Sequence, residues 1–340
     1  MQPSHPALVR AVQRLLRDHF RIEAGHQVVV TADDRSDAGL VGALADGVAA
    51  AGAAATVLTF AQLPFQGRLA DPHIPEPVVA AVGHCDVWLD LSFPYLAGSG
   101  PFEQANKQGR VRYLLMGDLD ADAFARLYGT DDFDALFALQ AAVDRLFADA
   151  AGRRCRITSP AGTELECLIG PPGAAKQRHA VAPGAHTVPG SALFQPQPDS
   201  ARGVIAIESV CHRYFTRLEE PLRLEVEGTV RGVNGGGVDR ALLERALKRA
   251  GHGAYGGVIH LTVGLNPAAR STGRSFIEEI RVVGRNAIGL GLPWWVEGGG
   301  ENHPDGVVED QSLWIDGEPI LERGRFVHPP LASLFDAIAL

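Results

Sequence analysis

Apolar residues at Leu8, Val12, Leu15 and Leu16 recur at helical spacing and predict a helix over residues 7–20. After Gly25 the pattern shifts to residues 28–32, apolar except for Thr31, which reads as a strand. Ser36 and Asp37 are N-cap residues for a helix that runs to Ala51, with Gly52 as its stop. Strands over 56–60, 86–93 and 111–118, a helix over 75–83 and a helical stretch over 121–148 broken at Gly129 complete the first half. Apolar strands alternating with helices imply a parallel sheet covered on both faces. Residues 1–149 are therefore expected to form a Rossmann-like α/β scaffold domain. No G-x-G-x-x-G follows the first strand, so the dinucleotide fingerprint is missing.

The second half has a different pattern. Residues 154–160 and 163–169 read as strands around a Pro160-Ala161-Gly162 turn. Residues 203–212 and 222–233 are β-rich, the latter turned at Glu227-Gly228, and one helix is expected over 238–250. Strands follow over 258–266, 286–292 and 313–326, the last turned at Asp316-Gly317, a strong hairpin signal. The expectation for residues 150–340 is an α+β domain with mostly antiparallel strands, carrying the metal-binding and catalytic groups. The Gly/Pro-rich stretch 170–198 is too long for a simple connector and is expected to be an ordered loop that lines the site.

A length of 340 residues suits about two domains. With 46% hydrophobic and 21% charged residues the chain has ordinary globular composition, which excludes a disordered or fibrous protein. A net charge of −9 without a basic tract argues against nucleic acid as a partner. The longest apolar stretch, 47–60, is too short to span a bilayer, and the N-terminus lacks a signal-peptide pattern. Cys85, Cys155, Cys167 and Cys211 form no C-x-x-C pair. They read as reduced, buried thiols of a cytoplasmic protein, so any metal would take His and carboxylate ligands.

The chemistry narrows by elimination to a metal site. G-x-S-x-G, the P-loop and H-E-x-x-H are absent. His303-Pro304-Asp305 remains, after the glycine-rich Glu297-Gly298-Gly299-Gly300. Residues two apart on an extended segment point the same way, so one imidazole and one carboxylate can face one ion. A 2-His-1-carboxylate iron site needs one more, distant histidine. His260, on the apolar strand 258–266, is the candidate, with His212 and His252 as competitors. Trp294 and Trp295 lie just before Glu297 and are candidates for a pocket wall.

These residues carry a resemblance. Ile22-Glu23-Ala24-Gly25-His26-Gln27-Val28-Val29-Val30 resembles the opening strand of the leucyl aminopeptidase (aminopeptidase T-like) superfamily, and Ala49-Ala50-Ala51-Gly52-Ala53 its following helix end. His260-Leu261-Thr262-Val263-Gly264-Leu265-Asn266-Pro267 is similar to its Glu-x-x-x-Gly-x-Asn-Pro segment, His303-Pro304-Asp305 to its H-x-D ligands, and residues 312–324 to its closing hairpin. The peptidases bind two metals through further carboxylates. Here His260 replaces one Glu, residues 191–198 contain no acid where a second is expected, and Asn286 replaces a His. Those departures resemble the 2,5-dihydroxypyridine 5,6-dioxygenase branch.

The resemblance implies one Fe(2+) on His260, His303 and Asp305, and a role at the substrate for Asn286 and Glu297, with Trp294 beside them. It also implies acid/base work by His186, with His179 as the second choice. The expected activity is ring opening of a hydroxylated N-heteroaromatic with O₂, in a homo-oligomer. The alternatives are a metallo-aminopeptidase and a non-catalytic metal-binding protein on the same scaffold.

Overall fold

The first apolar run forms the strand Gln27–Asp33, buried from Val28 onward. It is the second strand of a parallel sheet ordered Ala54–Phe60, Gln27–Asp33, Val87–Asp90, Arg112–Leu115 and Gly184–Thr187. Alternate residues serve opposite faces. Val29, Trp88 and Tyr113 pack with Val78 and Ala105 from the helices Glu76–Val82 and Gly100–Gln108. Val28, Val30 and Leu89 pack on the other face with Leu8, Leu44 and Phe124, from the helices Pro6–Arg14, Ala38–Ala50 and Ala121–Leu127. Both faces are therefore covered, as the continuous apolar strands require. This computed structural model describes residues 6–129, 132–173, 178–293, 296 and 302–339.

The helix Phe133–Asp149 leads into the second sheet, largely antiparallel. Six of its strands pair in a closed ring: Phe215–Glu227, Thr229–Asn234, Gly257–Gly264, Asn286–Gly291, Asp305–Val308 and Arg202–Cys211, the last pairing back to the first. Arg154–Thr158, Glu164–Leu168 and the hairpin Ser312–Ile315/Glu318–Glu322 extend it. Among the described residues no helix is long and apolar enough to cross a membrane.

The stretch 170–198 differs from the expected loop. Gly184–Thr187 joins the edge of the parallel sheet, and Ser191–Phe194 pairs with the strand Gly257–Gly264. Strands of four residues are too short to show an alternation that distinguishes them from loop. The first of them also crosses the expected division at residue 149, because a strand from the second half completes the first sheet. The two halves share buried contacts. Asp118 accepts hydrogen bonds from the Ser275 hydroxyl and the Phe276 and Ile277 amides. Arg126 makes a bidentate pair, 2.7 and 2.8 Å, with the fully buried Glu278.

Candidate metal centre

Strand register builds the site. His260 pairs with Gly289, Gly289 with Asp305, and Asp305 with Cys211, so these four residues form one row across adjacent strands. Glycine in the second position lets its neighbours converge. An added Cβ at Gly289 would overlap the His260 ring. His303 enters from the turn before Asp305–Val308. That turn is held to the first half by Asn302, whose carboxamide bonds the Gln66 amide and carbonyl at 3.1 and 2.9 Å.

The three expected ligands meet there. His260 Nε2 is 3.1 Å from Asp305 Oδ1 and 3.4 Å from His303 Nε2, and His303 Nε2 is 3.5 Å from Asp305 Oδ2. Donors about 2.0–2.2 Å from one ion, a range taken from zinc sites, stand about 2.8–3.6 Å apart when they subtend about 90–110°. The spacing fits a single ion, and the donor set of two imidazoles and one carboxylate fits a first-row divalent metal. All three residues are buried. Burial works to raise the Asp305 carboxyl, but the field of His303 and the His260 hydrogen bond outweigh it and leave it below its usual value. The carboxylate is therefore ionised and competent as a ligand.

The family model for 2,5-dihydroxypyridine 5,6-dioxygenase (NicX) matches residues 7–328. The chain belongs to the 2,5-dihydroxypyridine 5,6-dioxygenase family. Among solved structures it is similar to 2,5-dihydroxypyridine dioxygenase from Pseudomonas putida KT2440, with a TM-score of 0.73 and 21% identity over 96% of this chain and 98% of that one. It is also similar to wild-type AmpT from Thermus thermophilus, with a TM-score of 0.65 and 16% identity over 94% and 99% of the two chains. At those identities the two structures establish the fold, and both halves of the expected architecture are shared. No curated protein sequence matches the chain.

Other residues expected at the site of this dioxygenase-family chain lie elsewhere. His186 is on the strand Gly184–Thr187, where its Nε2 is 3.0 Å from the Ala182 carbonyl and its ring packs edge-on against Phe20. His179 Nδ1 meets the Asp18 carbonyl, Nε2 is 3.2 Å from Asp134, and the ring packs on Phe137. Neither contacts the three ligands, because the segment between them is drawn to the parallel sheet and the first helix. Asn286 is fully buried, its carbonyl oxygen accepting from the Thr262 amide and its nitrogen donating to Gln311. Its carboxamide thus ties the His260 strand to its neighbour. His212 and His252 do not join the cluster. Trp294, Trp295 and Glu297 lie outside the described residues.

Two residues at the site went unrecognised. Gly289 had a legible signal, since glycine inside an apolar strand marks a close approach. Tyr95, in the segment after Val87–Asp90, had none. Burial and the fields of Asp305, Cys211 and Asp118 push its phenol well above its ordinary value, so it stays protonated. A hydroxyl from the first half thus feels the field of Asp305, one of the three candidate ligands.

Proposed function

We propose that the protein is a ring-opening dioxygenase that holds one Fe(II) on His260, His303 and Asp305 and acts on a hydroxylated N-heteroaromatic such as 2,5-dihydroxypyridine. The observation that carries this reading is the convergence of two imidazoles and one carboxylate, buried and within 4.8 Å of one another, in a chain of the dioxygenase family. When bound, ferrous iron supplies open coordination positions for a bidentate substrate and O₂, and the electrons that activate O₂. The residues supply the rest. His260, His303 and Asp305 would hold the ion. A single carboxylate offsets one of the two positive charges of a divalent ion, and the remaining charge favours a substrate with an ionised ring hydroxyl. Burial of the ligands keeps water away and strengthens that attraction.

Among the described residues the site presents one carboxylate, fewer than a two-metal peptidase needs. Among the described residues the cluster contains three donors. Metal analysis of anaerobically purified protein tests the reading. One iron per chain is expected, and two zinc-type ions with hydrolysis of leucyl amides would replace it by the peptidase reading.

A further inference from the structure

A separate cavity of about 440 Å³ opens at the amino-terminal end of the parallel strands, lined by Arg21, Arg110, Arg112, His26, Glu23 and Asp86. Three guanidiniums gathered at one cavity stand out on a chain of net charge −9. Arg112 opens the strand Arg112–Leu115 and is only 8% exposed. Its Nη1 donates to the carbonyls of Phe20 and Ala180, and its Nη2 lies 3.5 Å from His26 Nδ1. Among the described residues no carboxylate is in ion-pair contact with it, although buried charges are ordinarily paired. Burial accordingly pulls this guanidinium below its ordinary value, against the fields of Asp86 and Glu23.

The surroundings engage the cationic groups only in part, with Arg110 Nη2 donating to the His84 carbonyl at 2.6 Å. Asp86 is occupied at the rim, taking the Gln27 amide at 2.9 Å on Oδ2 and facing Arg110 at 3.6 Å on Oδ1. Arg21 holds a left-handed backbone, φ 47°, which is uncommon for a residue with a side chain and marks a position worth explaining. The turn presents the preceding carbonyl, that of Phe20, to Arg112. Val181 and Pro183 give the remaining wall an apolar character.

We propose that this cavity binds a small oxyanion, a carboxylate or a phosphate, at a site separate from the three metal ligands. A guanidinium offers paired N–H donors that match the oxygens of either group. Calorimetric titration of the metal-loaded full chain with inorganic phosphate and with succinate, at fixed ionic strength in chloride, tests it. Saturable binding of at least one anion is expected, weakened tenfold or more in the double variant Arg21→Gln/Arg110→Gln. Both substitutions are at exposed side chains, so the fold is retained, as circular dichroism will verify. Response to succinate alone supports an organic acid as the ligand, and response to phosphate alone a phosphate. Absence of saturable binding by both, or equal binding by the double variant, overturns the proposal.

Discussion

Gly289 shows how much of the candidate metal centre depends on a position that bears no side chain. It stands between His260 and Asp305 in register, and the His260 ring occupies the space of its missing Cβ. Gly289→Ala is expected to displace His260 and weaken metal binding by at least tenfold while the far-UV circular dichroism is unchanged, measured by competition with a metal chelator. Unchanged affinity would mean that His260 is not a ligand. His303→Ala removes a donor without touching the strands, and its expected outcome is loss of bound metal with the melting temperature of the metal-free protein preserved. The pairing of His303 with Asp305 could be expected from the sequence because its spacing is local. His260 was one of several candidate histidines, and its convergence with the pair depends on strand pairing, which the sequence does not display. The places of His186 and His179, away from the three candidate ligands, were hidden for the same reason. Their surroundings, Phe20 and Phe137, are distant in sequence, and no local pattern announces them.

At the scale of elements, the longer pieces followed from pattern and capping. Asp37 caps Ala38–Ala50, accepting from Gly39 and Leu40 at 2.8 and 3.0 Å, and its second oxygen accepts from Ala121 at the head of the next helix of the same layer. Asp37→Ala should destabilise the fold by about 1–2 kcal/mol, the upper part of the range for a lost cap, because a second helix loses a bond as well. Urea unfolding measures this, and a loss below about 0.5 kcal/mol would show that water replaces the carboxylate. Short elements were the ones missed. Gly100–Gln108 begins with Gly-Pro, which reads as a turn, yet Ser99 caps it through its hydroxyl. Gly184–Thr187 and Ser191–Phe194 exist because neighbouring strands accept them, a tertiary cause that four residues do not encode.

Across the whole molecule, buried neutral histidines link stability to pH. His19 is 1% exposed between the first helix and the Tyr128 hydroxyl, 3.1 Å away. Burial, reinforced by the fields of His186 and His179, lowers its pKa to about 3. Above pH ~6.5 both folded and unfolded states are neutral at this group. Below that the unfolded chain takes up a proton that the folded chain refuses, so stability falls by up to about 1.4 kcal/mol per pH unit, and the fall ends only near the folded value. His19→Gln should flatten the decline in unfolding free energy between pH 6.5 and 4.5, and parallel slopes in variant and parent would contradict this. The same scale holds the central claim, that the sheet ring and its three buried ligands serve oxidative ring opening. Oxygen uptake by the anaerobically iron-loaded protein on addition of 2,5-dihydroxypyridine tests it most directly. The account predicts consumption of one O₂ per substrate, lost in His303→Ala. No uptake with 2,5-dihydroxypyridine or any other hydroxypyridine, from protein that retains its iron, would contradict it.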